Sequence, residues 1–278
     1  MSYHPYLYLR YPGFLSKALT LSYDDGVPSD LRLMEILDKH GLKCTFNINS
    51  GLFGNGARLS AEVIREKYVG SAHEIAVHGY KHLALSALSA PALAMEILED
   101  RKNLEALTGA PVTGMAYAYG DFDDRVVSLL ADCGISYART VTSTHAFVPP
   151  SDPLRWDPTC HHRDPALMEL AKRFATDPNV SYRGEAILFY LWGHSYEFDE
   201  RHDNNWPVIE EFAAYIGGRE DIWYATNGEI WQYLSAFRAL VFDVGGAFVY
   251  NPTATDVYLC MNGKNVIARA GECTNLQN

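Results

Sequence analysis

Short apolar runs and segments with helical spacing alternate along most of this chain. KALTLSY (17–23) reads as a strand. Leu33, Ile36 and Leu37 then recur at the helical interval, with Ser29 placed to cap their helix. KCTFNIN (43–49) is the next strand, and SAEVIREKY (60–68) a serine-capped helix. EIAVH (74–78) precedes a long helix from about 89 to 107, which Gly109 and Pro111 stop. VTGMAYAYG (112–120), the helix DDRVVSLLADCG (123–134) and ISYARTV (135–141) keep the rhythm. A proline-rich loop (146–158) and the helix PALMELAKRF (165–174) lead to EAILFYLWGH (185–194). That run is apolar without alternation, as a parallel strand covered on both faces requires. A helix near PVIEEFAAYIGG (207–218) and the unit IWYATNGEIWQYL (222–234) follow; within the latter, Thr226 and Glu229 have capping-box spacing.

Repeated strand–helix units joined by short loops predict a parallel sheet, and this many of them predict an α/β fold of one kind. It is a distorted parallel (β/α) barrel, seven- or eight-stranded and TIM-like, over residues 1–240. From Val241 the pattern changes. Residues 241–278 lack a helical period and carry an Asn262-Gly263 hairpin signal, so they read as a small C-terminal β extension.

Composition narrows the function classes. The 278 residues are 48% hydrophobic, ordinary for a chain with a sizeable core, and the formal charge is −11. Without a basic patch, that charge argues against nucleic acid as a partner. No run of eighteen apolar residues appears, so no membrane span is expected. The N-terminal MSYHPYLYLRYPGFL lacks the basic start and unbroken apolar core of a secretory signal. The chain therefore reads as cytoplasmic, although a trimmed secreted chain would look the same. Five cysteines at irregular spacing form no disulfide framework. Cys160 beside His161 and His162 reads as a buried thiol next to two loop histidines.

The chemistry starts from SAHEIAVHGYKH (71–82). His73-Glu74 does not open an H-E-x-x-H motif, because the next histidine comes one residue too late. His78 and His82, four apart, can aim at one point. In a β/α barrel the chemistry gathers on loops after the C-terminal strand ends. The first strand ends at Asp24-Asp25, the second at Asn47 and Asn49, the third at His78. The later strands end at Tyr119-Gly120-Asp121, near Arg139 and at His194. One of Asp24 and Asp25 therefore completes an Asp-His-His site for a divalent metal with an open water position. Taken singly, each of these is more often a turn, a cap or a solvated histidine pair; their convergence on one rim favours the site.

LSYDDG, HGYKH, YAYG and YLWGH resemble, in order, the T-F-D-D-G, H-x-x-x-H, R-x-P-Y-G and L-x-H motifs of the polysaccharide deacetylases. That family has NodB homology and is carbohydrate esterase family four. KCTFNIN is similar to its A-T-F-F strand, and the match runs from residue 18 to about 235. The resemblance implies that Asp25, His78 and His82 bind the metal, most readily zinc, with cobalt or nickel possible. It implies Asp24 as general base, His194 as general acid and the Tyr119 N–H as an oxyanion donor. The implied substrate is an acetylated oligo- or polysaccharide. N-deacetylation of N-acetylglucosamine polymers comes first; O-acetyl xylan esterase activity or a sugar-binding barrel without catalysis are the alternatives.

The chain departs from the pattern at Ala116 and Ala118, where the family has an arginine that orients the aspartate and a proline. Arg139 is the expected substitute for that arginine. The carboxylate that supports the acid histidine is left open between Asp152 and Asp157. Trp156 reads as a wall for a sugar ring, Tyr80 and Asn49 as substrate contacts, and Trp192, Tyr196 and Trp206 as further aromatic candidates. For Trp192, inside the apolar strand, core packing is the favoured reading.

Overall fold

The computed structural model describes residues 6–181 and 184–277. In chain order the strands are β1 (Leu7–Arg10), β2 (Lys17–Asp24), β3 (Cys44–Ile48), β4 (Glu74–Val77), β5 (Gly114–Ala116), β6 (Tyr137–Arg139) and β7 (Cys160–His161). β8 (Ile187–Gly193), β9 (Ile222–Tyr224), β10 (Val241–Phe242), β11 (Phe248–Tyr250), β12 (Val257–Met261), β13 (Lys264–Ala268) and β14 (Cys273–Asn275) follow. The α-helices are α1 (Ser29–Lys39), α2 (Ala61–Lys67), α3 (Ala90–Thr108), α4 (Asp124–Asp132), α5 (Leu167–Thr176), α6 (Trp206–Ile216) and α7 (Asn227–Arg238).

One parallel sheet runs in the order β6-β5-β4-β3-β2-β8-β7, with β9 also paired to β2. β2 and β8 share its longest pairing, seven residues from Lys17 opposite Ile187 to Tyr23 opposite Gly193. Every residue of β8 is buried, as is β2 beyond Lys17, which is why neither shows alternation. β9 takes the Lys17–Leu19 part of one β2 edge and β3 the Leu21–Asp24 part.

The sheet curls towards closure through one irregular segment. Trp156 donates its N–H to Ala138 O and accepts from Thr140 N, while Thr159 N donates to Tyr190 O and His162 N to Trp192 O. The chain from 156 to 162 thus hydrogen-bonds both the β6 edge and β8, giving the distorted β/α barrel the pattern predicts. The helices pack their apolar faces on the outside of the sheet to form the main core.

Local signals behave as their chemistry dictates at most ends. Ser60 and Asp123 accept the N–H groups of Val63 and Val126, and α7 opens with the full Thr226–Glu229 capping box. Gly109 ends α3 in the left-handed conformation, φ 69°. Ser29 does not cap α1. Its hydroxyl donates instead to Asp199 Oδ2 at 2.5 Å, and the carboxylate of Asp30 accepts the Val27 N–H. A partner contributed by a distant loop outcompetes the local cap.

Beyond residue 240 lie two small sheets, β1-β12-β13 and β10-β11-β14. Asn262 and Gly263 form the β12–β13 turn with φ of 50° and 81°, as a two-residue hairpin requires. β1 pairs antiparallel with β12, Leu7 opposite Met261. The segment that the sequence pattern sets apart at 241 is therefore completed by the first strand of the chain.

Candidate metal centre and its surroundings

Asp24 ends β2, His78 follows β4 and His194 follows β8, so the parallel sheet brings them to one rim. A cavity of about 520 Å³ opens there, lined by both aspartates, His78, His82, Tyr117, Tyr119, Trp192, His194 and Tyr196. Three of its residues carry positive φ without being glycine: Asp25 (92°), His82 (58°) and Tyr119 (59°). Each such conformation costs on the order of 1–3 kcal/mol, and such costs gather where function requires them.

Asp25, His78 and His82 present donor atoms that all lie within 4.8 Å of one another. The Nδ1–H of His78 is positioned to donate to Ala116 O at 2.9 Å, which leaves a lone pair on Nε2. That Nε2 is buried and has no hydrogen-bond partner. Burial, reinforced by the neighbouring His78, holds the pKa of His82 down to about 4, so its imidazole is neutral at pH 7. Two imidazoles and one carboxylate, one nitrogen being an orphan, fit a divalent cation of the zinc type. Arg58 Nη2 donates to Asp25 Oδ1 at 2.8 Å, the same oxygen that lies 3.7 Å from His82 Nε2.

The loop that carries these histidines is held from behind. Asp100 on α3 accepts His78 N at 3.0 Å and Ser50 N at 2.7 Å, while Glu96, one turn earlier, accepts Lys81 N at 2.6 Å. Burial raises the Asp100 carboxyl to about 7 against those hydrogen bonds. Asn49 Nδ2 donates to the carbonyls of His78 and Gly79 at 2.7 and 2.8 Å. Asn49 is therefore a brace for the loop, buried away from the cavity, and the expectation that it touches substrate is corrected.

Asp24 is fixed from both oxygens. Asn47 Nδ2 donates to Oδ1 at 2.8 Å and Arg139 Nη2 to Oδ2 at 2.5 Å. The Arg139 guanidinium is fully buried and stacks on Trp192 at 4.3 Å. Burial works against the charge of Asp24, but Arg139, then His78 and His194, outweigh it and bring its pKa down to about 2. Arg139 thus occupies the position relative to Asp24 for which the sequence proposes it.

His194 Nε2 lies 3.9 Å from Asp24 Oδ2, and its Nδ1 faces Glu197 Oε2 at 3.6 Å. Burial opposes the charge of His194, yet Glu197 and Asp24 raise its pKa above the ordinary histidine value. Neither aspartate left open by the sequence faces it: Asp152 pairs with Arg155, and Asp157 accepts from Thr140. Glu197 was missed because it follows His194 by three residues and reaches back only through the short 3-10 turn Ser195–Phe198.

The remaining predicted residues divide. Tyr119 is 70% exposed at the cavity mouth, its ring 4.3 Å from that of His82, and its N–H has no acceptor among the described residues. Tyr80 packs over Gly51 and is not part of the cavity wall. Trp156, 1% exposed, packs edge-on against Tyr137 and Tyr190 inside the barrel and cannot stack on a sugar. Trp206 is likewise buried, against Phe198. Trp192 is buried but also lines the cavity, so both readings of it hold. Among the described residues no helix is long and apolar enough to cross a membrane.

Residues 14–138 match the family model described as Polysaccharide deacetylase. Chitin deacetylase 1 of Cryptococcus neoformans var. grubii is 30% identical over 117 residues, which is 42% of this chain and 24% of that protein. The match thus spans about a quarter of the curated relative's length. In fold, the chain resembles PuuE allantoinase with a TM-score of 0.60 at 13% identity, covering 80% of this chain and 91% of that one. It also resembles the Xyl-CE4 domain of a multidomain xylanase from the hindgut metagenome of Trinervitermes trinervoides. There the TM-score is 0.51 at 16% identity, covering 79% of this chain and 92% of that one.

Proposed function

We propose, from the match of residues 14–138 to the polysaccharide deacetylase family model, that the chain is a metal-dependent hydrolase removing acetyl groups from an acetylated sugar. The favoured substrate is an N-acetylglucosamine-containing oligo- or polysaccharide. One observation carries the reading: the donor atoms of Asp25, His78 and His82 converge beside Asp24 and His194 in a single open cavity.

Asp25, His78 and His82 would hold the cation. When bound, it would polarise the acetyl carbonyl and lower the pKa of water at the site to about 7. Asp24 stays ionised and keeps a free lone pair on each oxygen beyond those given to Asn47 and Arg139, so it can accept the proton of the attacking water. His194, held towards its protonated form by Glu197, delivers a proton from Nε2 to the leaving nitrogen. The unengaged Tyr119 N–H faces the developing oxyanion, a contact whose loss typically costs about a hundredfold or more in rate. Tyr119 and Tyr196 offer aromatic faces to a sugar ring at the mouth.

The test is acetate release from N-acetylglucosamine oligosaccharides, with acetylated xylan run beside them. Activity is expected to stop when the protein is stripped by chelator and to return with zinc. His78→Ala should lose metal and activity together. Asp24→Asn should keep its metal and lose turnover by about 10²–10⁴-fold. Full activity in metal-stripped protein would overturn the reading; release from xylan alone would move the substrate to O-acetyl esters.

A further inference from the structure

A second constellation lies behind His194, on the side away from Asp24. His161, His194 and Glu197 present donor atoms all within 4.8 Å of one another, with His161 Nε2 and His194 Nδ1 both facing Glu197 Oε2. His162 Nε2 also lies 3.1 Å from Glu197 Oε2. The His162 ring is fully buried between Tyr23 and Phe198, and neither of its nitrogens has a hydrogen-bond partner. Glu197 Oε2 and His194 Nδ1 are also buried without a partner that meets hydrogen-bond geometry. The imidazoles nevertheless approach that oxygen closely, at 3.2 Å (His161), 3.1 Å (His162) and 3.6 Å (His194).

Close approach without hydrogen-bond alignment is what donors around a shared centre show. A tetrahedral zinc site with bonds of about 2.1 Å places neighbouring donor atoms about 3.4 Å apart. We propose that His161, His194 and Glu197, with His162 beside them, form a second divalent-cation site, of weaker affinity than the first. When occupied it takes His194 out of proton transfer.

The difference in affinity follows from the second nitrogen of each ring. His78 directs its Nδ1–H at a backbone carbonyl, which readies Nε2 for a metal. His161 Nδ1 instead accepts the N–H of Arg163 at 3.1 Å, so its own proton rests on Nε2. A cation must expel or relocate that proton, and the exposed Arg163 N–H then turns to water. The Arg163 guanidinium, 3.4 Å from Glu197 Oε1, adds like charge nearby. The second site therefore fills only in excess metal. A cation on Nδ1 leaves His194 as a neutral imidazole whose single proton, on Nε2, is far less acidic than that of the imidazolium, so His194 is then a poor proton donor to the leaving group. The binding claim stands independently of function, whereas the inhibition rests on the role given to His194 above.

Equilibrium dialysis of metal-stripped protein against zinc chloride tests this, with acetate release followed in parallel. The native chain should bind two equivalents, the second at least tenfold more weakly. His161→Ala should bind one, with the first affinity intact, and Glu197→Gln should also lose the weaker equivalent. His78→Ala should retain only the weaker one. Acetate release should fall as the second equivalent loads in the native chain and stay level over the same range in His161→Ala. One equivalent in the native chain, or a second that survives His161→Ala, overturns the site while leaving the proposed function standing. No bound zinc at all overturns both. A second equivalent that binds without slowing acetate release overturns the inhibition.

Discussion

Arg139 shows what one side chain contributes to this site. Position 116, where the resemblance leads one to expect the orienting arginine, holds an alanine whose carbonyl faces His78 Nδ1. The guanidinium comes instead from the end of β6 and reaches Asp24 with Trp192 against its face. Removing it would leave a buried carboxylate without its largest compensating charge, a loss of the kind worth about 3–5 kcal/mol. Arg139→Ala should therefore retain its metal and lose turnover at least tenfold. The sign of the pH effect is fixed as well. Burial alone raises the pKa of Asp24, so without Arg139 the acid limb of kcat/KM should move to higher pH. A profile with unchanged limbs would show that Arg139 is structural only.

At the scale of elements, α3 does more than cover the sheet. Leu93, Ile97 and Leu104 lie on its buried stripe, and Glu96 and Asp100 fall on the same stripe. Two carboxylates at apolar positions are a signal the sequence does carry: each must find donors or carry a large penalty. They find them in the backbone N–H groups of the histidine loop. Asp100→Ala should weaken zinc binding by about 10–100-fold, the usual effect of losing a group that orients a ligand. Competition with a chromophoric chelator measures it, and an unchanged affinity would assign Asp100 to packing alone.

Across the whole molecule, closure depends on a segment with almost no regular structure. The stretch from 156 to 162 bridges β6 and β8, and Trp156 anchors it by filling the barrel among Tyr137, Tyr190 and their neighbours. Trp156→Ala should lower unfolding free energy by about 3–5 kcal/mol in denaturant titration, the usual result for a buried large aromatic. A change below about 1 kcal/mol would mean that the barrel is closed by other contacts. The same segment hands the chain to His161 and His162, so barrel closure and the second histidine cluster share one piece of backbone.

The strand rhythm, the parallel sheet and the residues at strand ends were legible along the chain. Covered strands must be apolar throughout, and a parallel barrel directs every strand end to one rim. Asp24, Asp25, His78, Arg139 and His194 could be placed in that way. Asn49 and Trp156 could not, because their positions at strand ends or loops do not say whether a polar group braces backbone or a ring turns inward. Glu197 was equally hidden, and the pattern that marks Glu96 and Asp100 as buried carboxylates does not name their partners. Their roles exist only once a helix face or a short turn has been packed against a loop far away in sequence. The periodicity of side chains is a local property, and it determined the elements and their order. Which donor meets which acceptor in a buried site depends on desolvation and distance, and only the tertiary structure decided those.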